Sequence, residues 1–186
     1  MDTQTQAAGA VRYCLFATAI GECGIAWSER GVTRVALPEG NRAATERRLK
    51  ARAPGAHAGD PPPAIREVIV EIERYARGER VSFASAGIDL GDADAFRRSV
   101  YAAARAVPWG ETASYGEIAR RVGTSDAREV GQALSRNPVP LIVPCHRIVG
   151  SDGRLVGFSA YGGTLTKERL LALEGFGADA PRLPGL

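Results

Sequence analysis

An α/β N-terminal domain with a small antiparallel sheet, followed by a mainly α, helix-turn-helix-like C-terminal domain, is the architecture this 186-residue chain predicts. Three observations carry that expectation. Short β-type runs broken by turns fill Arg12 to Leu37, one apolar helical stripe runs from Ile65 to Tyr75, and two capped helices flank a glycine turn between Ser114 and Arg136. The length suits two small packed domains, expected over 10–90 and 91–178, with a tail over 179–186.

Tyr13–Thr18, Cys23–Ser28 and Val32–Leu37 read as three strands, with turns at Ile20-Gly21-Glu22 and Glu29-Arg30-Gly31, hence an antiparallel meander. Asn41 to Arg52, charged and Ala-rich, predicts a helix. Ala53–Pro63 carries Pro54, Pro61, Pro62 and Pro63 and reads as a loop, because each proline lacks an N–H and fixes φ. In the next helix Ile65, Val68, Ile69, Ile72 and Tyr75 recur at helical spacing, leaving Arg66, Glu67, Glu71, Glu73 and Arg74 on the water side. Gly87 to Asp94 reads as a linker.

Asp94 is positioned to cap a helix over Ala95–Ala106, closed by Pro108-Trp109-Gly110. Ser114, with Glu117 three residues on, gives capping-box spacing ahead of Ile118, Ala119 and Val122. Gly123 ends that helix, and Thr124 or Ser125 is expected to cap a second over Asp126–Arg136. The pair is either a helix-turn-helix or a plain αα-hairpin. Its second helix offers one arginine, Arg128, among the small residues Ala127, Gly131 and Ala133, so it can approach a groove closely while reading few bases. Pro138 and Pro140 stop it before Leu141-Ile142-Val143, and Gly162-Gly163 precede a final amphipathic helix over Leu165–Leu173 ending at Glu174-Gly175.

Composition narrows the function classes. Hydrophobic residues make up 45% and charged residues 24%, and no apolar run approaches the ~18 residues that span a bilayer. The polar start, Met1 to Ala10, lacks the features of a secretory signal, so the expected location is the cytoplasm. Three cysteines, Cys14, Cys23 and Cys145, form no disulfide framework, and with only His57 and His146 beside them no metal site is assigned. The charge is uneven: residues 1–95 hold 12 Lys and Arg against 13 Asp and Glu, residues 96–186 hold 12 against 8. The basic excess therefore lies in the half with the paired helices, where phosphates would dock.

The most informative stretch is Val143-Pro144-Cys145-His146-Arg147-Ile148-Val149, which sets a thiol beside an imidazole just after those helices. Most free cysteines are packing residues, and a thiol with a pKa near ~8.5 is mostly protonated at neutral pH. The flanking blocks make the difference. Ser114-Tyr115-Gly116-Glu117-Ile118-Ala119, Arg128-Glu129-Val130-Gly131-Gln132-Ala133, Asn137-Pro138-Val139-Pro140, Pro144-Cys145-His146-Arg147, Gly162-Gly163, and Lys167 with Leu170-Leu171 and Glu174-Gly175 follow in order across 96–175. Together they resemble the O6-alkylguanine-DNA alkyltransferases, also called methylated-DNA–protein-cysteine methyltransferases.

The resemblance implies a ribonuclease-H-like N-terminal domain, a winged helix-turn-helix-like C-terminal domain, and repair by irreversible transfer of an alkyl group from O6-alkylguanine in double-stranded DNA to Cys145. It implies His146 as a base acting through a water, Glu174 as the carboxylate orienting the imidazole, and Asn137 as a hinge, which can hold together with an ordinary helix stop before proline. Tyr115 would contact and rotate the target nucleotide, Arg128 would enter the duplex where the flipped base was, and Ala127 and Gly131 would lie against DNA. Tyr115, Ile148, Ser159 and Tyr161 would line the substrate pocket, with backbone groups of Cys145 and Ile148 on the guanine edge, while Arg147 would be buried in an ion pair. No organic cofactor is implied, and a monomer is the default. Tyr161-Gly162-Gly163-Thr164 departs from the family's usual Gly-Gly-Leu, and Gly157-Phe158-Ser159-Ala160 lengthens the pocket loop, so the preferred alkyl group stays open. The alternative is an alkyltransferase-like lesion sensor without transfer, against which Cys145 argues. A cysteine hydrolase is a remote third.

Overall fold

The computed structural model describes residues 10–176; most of the polar start and the expected tail lie outside the described residues. Strands β1 (Arg12–Thr18), β2 (Gly21–Ser28) and β3 (Gly31–Ala36) form the expected meander, with Arg12 facing Trp27 and Thr18 facing Gly21 across the first hairpin. Gly31 turns at φ +132°, and a Cβ there would stand 2.5 Å from the Gly87 carbonyl oxygen, so both the conformation and the close approach require glycine. The sheet is mixed rather than purely antiparallel. A two-residue strand, β4 (His57–Ala58), pairs parallel to β1 inside the segment expected to be loop, giving the order β3-β2-β1-β4. The N–H groups of His57 and of Gly59, just beyond the strand, donate to the edge carbonyls of Val11 and Tyr13.

Two helices cover the two faces of this sheet. In α1 (Arg42–Arg52), Asn41 caps the start by accepting from the Ala44 N–H, and Leu49 packs with Tyr13, Ala26 and Ala36. In α2 (Pro63–Ala76), Pro63 stands in the first turn, where its missing N–H costs nothing, and the whole stripe from Ile65 to Tyr75 is buried. That stripe meets Cys23, Ile25 and Trp27, the β2 residues pointing away from α1, as the two-residue period of a strand dictates. The expected linker is pinned to the sheet. Val32 donates to the Gly87 carbonyl and accepts from the Asp89 N–H, both at 2.9 Å, while the Asp89 carboxylate takes Ser28 and Arg30.

Helix α3 (Ala95–Arg105) is capped by Asp94, and α4 (Tyr115–Arg121) opens with both halves of the Ser114–Glu117 capping box. Asp126, rather than Thr124 or Ser125, caps α5 (Ala127–Ser135); the Thr124 hydroxyl accepts from the Asp126 N–H and so braces the turn. Strands β5 (Ala113–Ser114) and β6 (Ile148–Val149) pair in parallel and join the start of α4 to the segment after Cys145. The last helix, α6 (Thr164–Leu173), buries Lys167, Leu170 and Leu171, with Glu174 just beyond, and leaves Leu165 exposed. Its inward face is thus rotated from the one apolar periodicity predicts. The α2 side of the sheet and the packed helices α3 to α6 share one continuous core from Cys23 to Leu170. No helix among the described residues is long and apolar enough to cross a membrane.

Candidate active site

The turn that presents Cys145 is built from short-range constraints. Pro144, at φ −79° and ψ 64°, forms an inverse γ-turn closed by the Cys145 N–H donating to the Val143 carbonyl at 2.8 Å. A single 3-10 turn, Cys145–Arg147, follows. With three residues per turn, consecutive side chains leave about a third of a turn apart, so thiol, imidazole and guanidinium point in three directions. Asn137 locks this turn to the end of α5. Its Nδ2 donates to the Val143 carbonyl at 2.8 Å and to Cys145 Sγ at 3.2 Å, and its Oδ1 accepts from the Val139 N–H at 3.0 Å. Leu141, between them, sits in the left-handed region at φ 72°, a strain that this network and a fully packed surround hold in place.

Behind Cys145 lies a buried polar cluster centred on Glu174. Oε1 accepts from His146 Nε2 at 2.6 Å, from the Tyr75 hydroxyl at 2.8 Å and from Arg147 Nη2 at 3.1 Å; Oε2 accepts from Arg147 Nε at 2.8 Å and the Gly110 N–H at 3.1 Å. Burial pushes the Glu174 carboxyl up, but the hydrogen bonds from His146 and Arg147 outweigh it and hold the group down at about 2. A carboxylate can only accept, so the network assigns the imidazole proton to Nε2 and leaves Nδ1 as a lone pair. Nδ1 is buried without a protein hydrogen-bond partner among the described residues. Burial also lowers the His146 pKa, with Glu174 opposing, so the ring is neutral at rest. The Cys145 thiol is pushed up by burial, against which the Asn137 amide and the Lys167 ammonium act.

In front of Cys145 opens a cavity of about 410 Å³, walled by Tyr115, Gly131, Leu134 and Ser135 on one side and by Val156 to Ser159 on the other. The structure therefore brings Cys145, Tyr115, Gly131 and Ser159 to one cavity, sets Asn137 on the sulfur, and joins His146, the next residue along the turn, to Glu174. Ala127 is one helical turn before Gly131 on the same side of α5, and Arg128 next to it is exposed. Two expected pocket residues are elsewhere. Ile148 is fully buried, its N–H donating to the Cys145 carbonyl and its own carbonyl accepting from Lys167, and Tyr161 is 58% exposed, outside the cavity wall. The strand pairing of β6 explains the first, and the second follows because Val156 to Ser159 supply that wall and the chain has turned away by Tyr161.

Two residues of the site were given no role in it by the sequence. Tyr75 belongs to the α2 stripe, yet its hydroxyl contacts Glu174, His146 Nε2 at 3.1 Å and the Leu170 carbonyl at 3.3 Å. A phenol in an otherwise aliphatic stripe was the available signal, since a buried tyrosine hydroxyl needs a partner. Lys167 donates to the carbonyls of Ile148 and Val156 and stands 5.7 Å over the Tyr115 ring; burial lowers its pKa to about 8.

The chain is similar to known proteins over most of its length. The family model "6-O-methylguanine DNA methyltransferase, DNA binding domain" matches residues 95–176. The chain is 35% identical over 154 residues to the methylated-DNA–protein-cysteine methyltransferase of Methanothermobacter thermautotrophicus, covering 83% of this chain and 80% of that one. It is 36% identical over 165 residues to the Methanosarcina acetivorans protein of the same name, covering 88% and 97%. Among solved structures, Mycobacterium tuberculosis OGT in complex with DNA superposes with a TM-score of 0.71 at 32% identity, over 88% of this chain and 92% of that one.

Proposed function

Because the chain belongs to the methylated-DNA–protein-cysteine methyltransferase family, we propose that it repairs DNA by moving the alkyl group of O6-alkylguanine, once and irreversibly, onto its own Cys145. The observation that carries this reading is the thiol at the floor of a cavity, with an amide donor on its sulfur and an unpartnered imidazole lone pair behind it. Burial keeps the thiol protonated, so a base is required. His146 Nδ1 takes the proton through a bridging water, and Glu174 stabilises the imidazolium that forms. The Asn137 amide supports the thiolate as it develops. The sulfur then attacks the alkyl carbon in line: the C–S bond forms, the C–O bond breaks, and its electron pair leaves on guanine O6. O6 becomes a carbonyl, guanine N1 regains a proton, and the proton count balances against the one lost from the thiol.

In this reading residues 10–90 are a ribonuclease-H-like domain and residues 91–178 a winged helix-turn-helix-like domain that docks on duplex DNA. The β5–β6 pair beside α4 and α5 supports the latter assignment. Tyr115, Ala127, Arg128 and Gly131 face the DNA, Arg128 filling the gap left by the extruded base, because the alkyl carbon is out of reach inside the stack. Arg147 is structural, paired with Glu174. The protein acts as a cytoplasmic monomer without organic cofactor.

The test is to incubate the protein with duplex DNA carrying O6-methylguanine and weigh it intact. A gain of one methyl, lost in Cys145→Ala while DNA binding persists, is the expected result. Loss of transfer in Cys14→Ala or Cys23→Ala instead would reassign the acceptor, and DNA binding without any mass change would select the lesion sensor.

A further inference from the structure

The loop that walls the cavity has a second face. Beyond Phe158 and Ser159 lies a narrow crevice of about 30 Å³, floored by Cys145 and Asn137 and closed by β3 and α1 through Val35, Leu37, Arg48 and Leu49. Phe158 and Ser159 belong to the walls of both spaces, as does Cys145, so this dipeptide is the partition between them. The partition is held by side chains. Residues 155–159 form no helix or strand, and glycines in the left-handed region stand on either side, Gly157 at φ 42° and Gly162 at φ 82°. On the cavity side Lys167 donates to the Val156 carbonyl. On the crevice side Arg48 of α1 donates from Nη2 to the Ser159 carbonyl at 2.5 Å, and its Nε is paired with Glu39 at 2.8 Å. Arg48 and Glu39 side chains are only 28% and 14% exposed, so this ion pair is partly shielded from screening.

We infer that Arg48, aimed by Glu39, is a specificity-determining latch: by tying Ser159 to helix α1 it holds the partition shut and sets how large an alkyl group the site accepts. This inference rests on the alkyl-transfer reading above. A methyl group needs only the front cavity. A benzyl group on the same oxygen places its ring past the sulfur, toward the partition, and fits more readily when Phe158 and Ser159 swing away and the crevice joins the cavity. The N-terminal part of the chain thereby acts on selectivity without touching the substrate.

The experiment compares single-turnover rates of wild type, Arg48→Ala, Arg48→Lys and Glu39→Gln on duplexes carrying O6-methylguanine or O6-benzylguanine. The benzyl-to-methyl rate ratio is expected to rise roughly two- to fivefold in Arg48→Ala, the range for losing one partly exposed ion-pair tether, less in Glu39→Gln, and to return toward wild type in Arg48→Lys. An unchanged ratio, or an equal loss on both substrates, overturns the latch. A second readout does not need alkyl transfer: the rate at which dithiobis(nitrobenzoate) labels Cys145, located by peptide mass, should rise in Arg48→Ala in step with the ratio. If wild type transfers no alkyl group, the function proposed above fails, while faster or unchanged Cys145 labelling still decides for or against the latch.

Discussion

Glu174 shows how much one buried side chain can hold. It neutralises Arg147, whose Nη1 donates to the Val107 carbonyl, and it fixes which nitrogen of His146 is bare. Glu174→Gln would leave the guanidinium buried without its counter-charge, which typically costs about 3–5 kcal/mol, so thermal unfolding should show a severe loss of stability as well as of transfer. The pH dependence has a definite sign. The folded pKa, about 2, lies below the value of about 4.3 for an unfolded glutamate, so the stabilisation is complete above that unfolded value and is lost as pH falls through the folded one. The difference corresponds to roughly 3 kcal/mol. Denaturant titrations of wild type and Glu174→Gln at a series of pH values should converge between about pH 5 and pH 2; a constant gap over that range would mean the carboxylate's charge is not what stabilises the fold.

At the scale of the element, the docking proposed for α5 sets stability against binding. Gly131 sits mid-helix, and a Cβ there would meet the Tyr115 ring at 3.8 Å, an ordinary contact. Gly131→Ala should therefore raise the melting temperature, since alanine is favoured over glycine in a helix by up to about 1 kcal/mol. The same methyl would stand between the helix and a groove, so affinity for duplex DNA should fall, and a gain in both would remove Gly131 from the docking face. Arg128, exposed at the start of α5, is predicted to matter only when a base has to be extruded. Arg128→Ala should slow repair of O6-benzylguanine in duplex DNA far more than reaction with the free base, compared by intact mass against time. Equal losses would place Arg128 in the pocket or in folding.

For the whole molecule, the decisive feature is that one core runs from the sheet through α2 into the C-terminal helices, with Tyr75 of α2 bonded to His146 and Glu174 across it. Cooperative unfolding in a single transition is the consequence. The two tryptophans report on it, because Trp27 lies in β2 and Trp109 follows α3. Fluorescence of Trp27→Phe and Trp109→Phe variants should give the same midpoint once each is referenced to its own circular dichroism, whereas separate midpoints would reveal two independent units. The reaction also marks the whole molecule. A thioether has no carbonyl for water to attack, so with limiting protein and excess methylated DNA repair should plateau at one methyl per chain.

The sequence alone determined whatever is written in short-range chemistry. The α2 stripe was legible because a helix turns every 3.6 residues, the Ser114–Glu117 box because both partners lie within one turn, and the Cys145 region because ordered blocks around it match a family. Tertiary structure decided what depends on which surface meets which. Strand β4 is too short to carry a pattern and exists only because the β1 edge offers it partners. Leu165 points outward while Lys167 points in, against their polarity, because two carbonyls inside await the ammonium. Tyr75 joins the polar cluster from 71 residues before His146, and Arg48 reaches Ser159 across 111. No local periodicity encodes such pairings, since they are selected by the free energy of the assembled core rather than by the preferences of neighbouring residues.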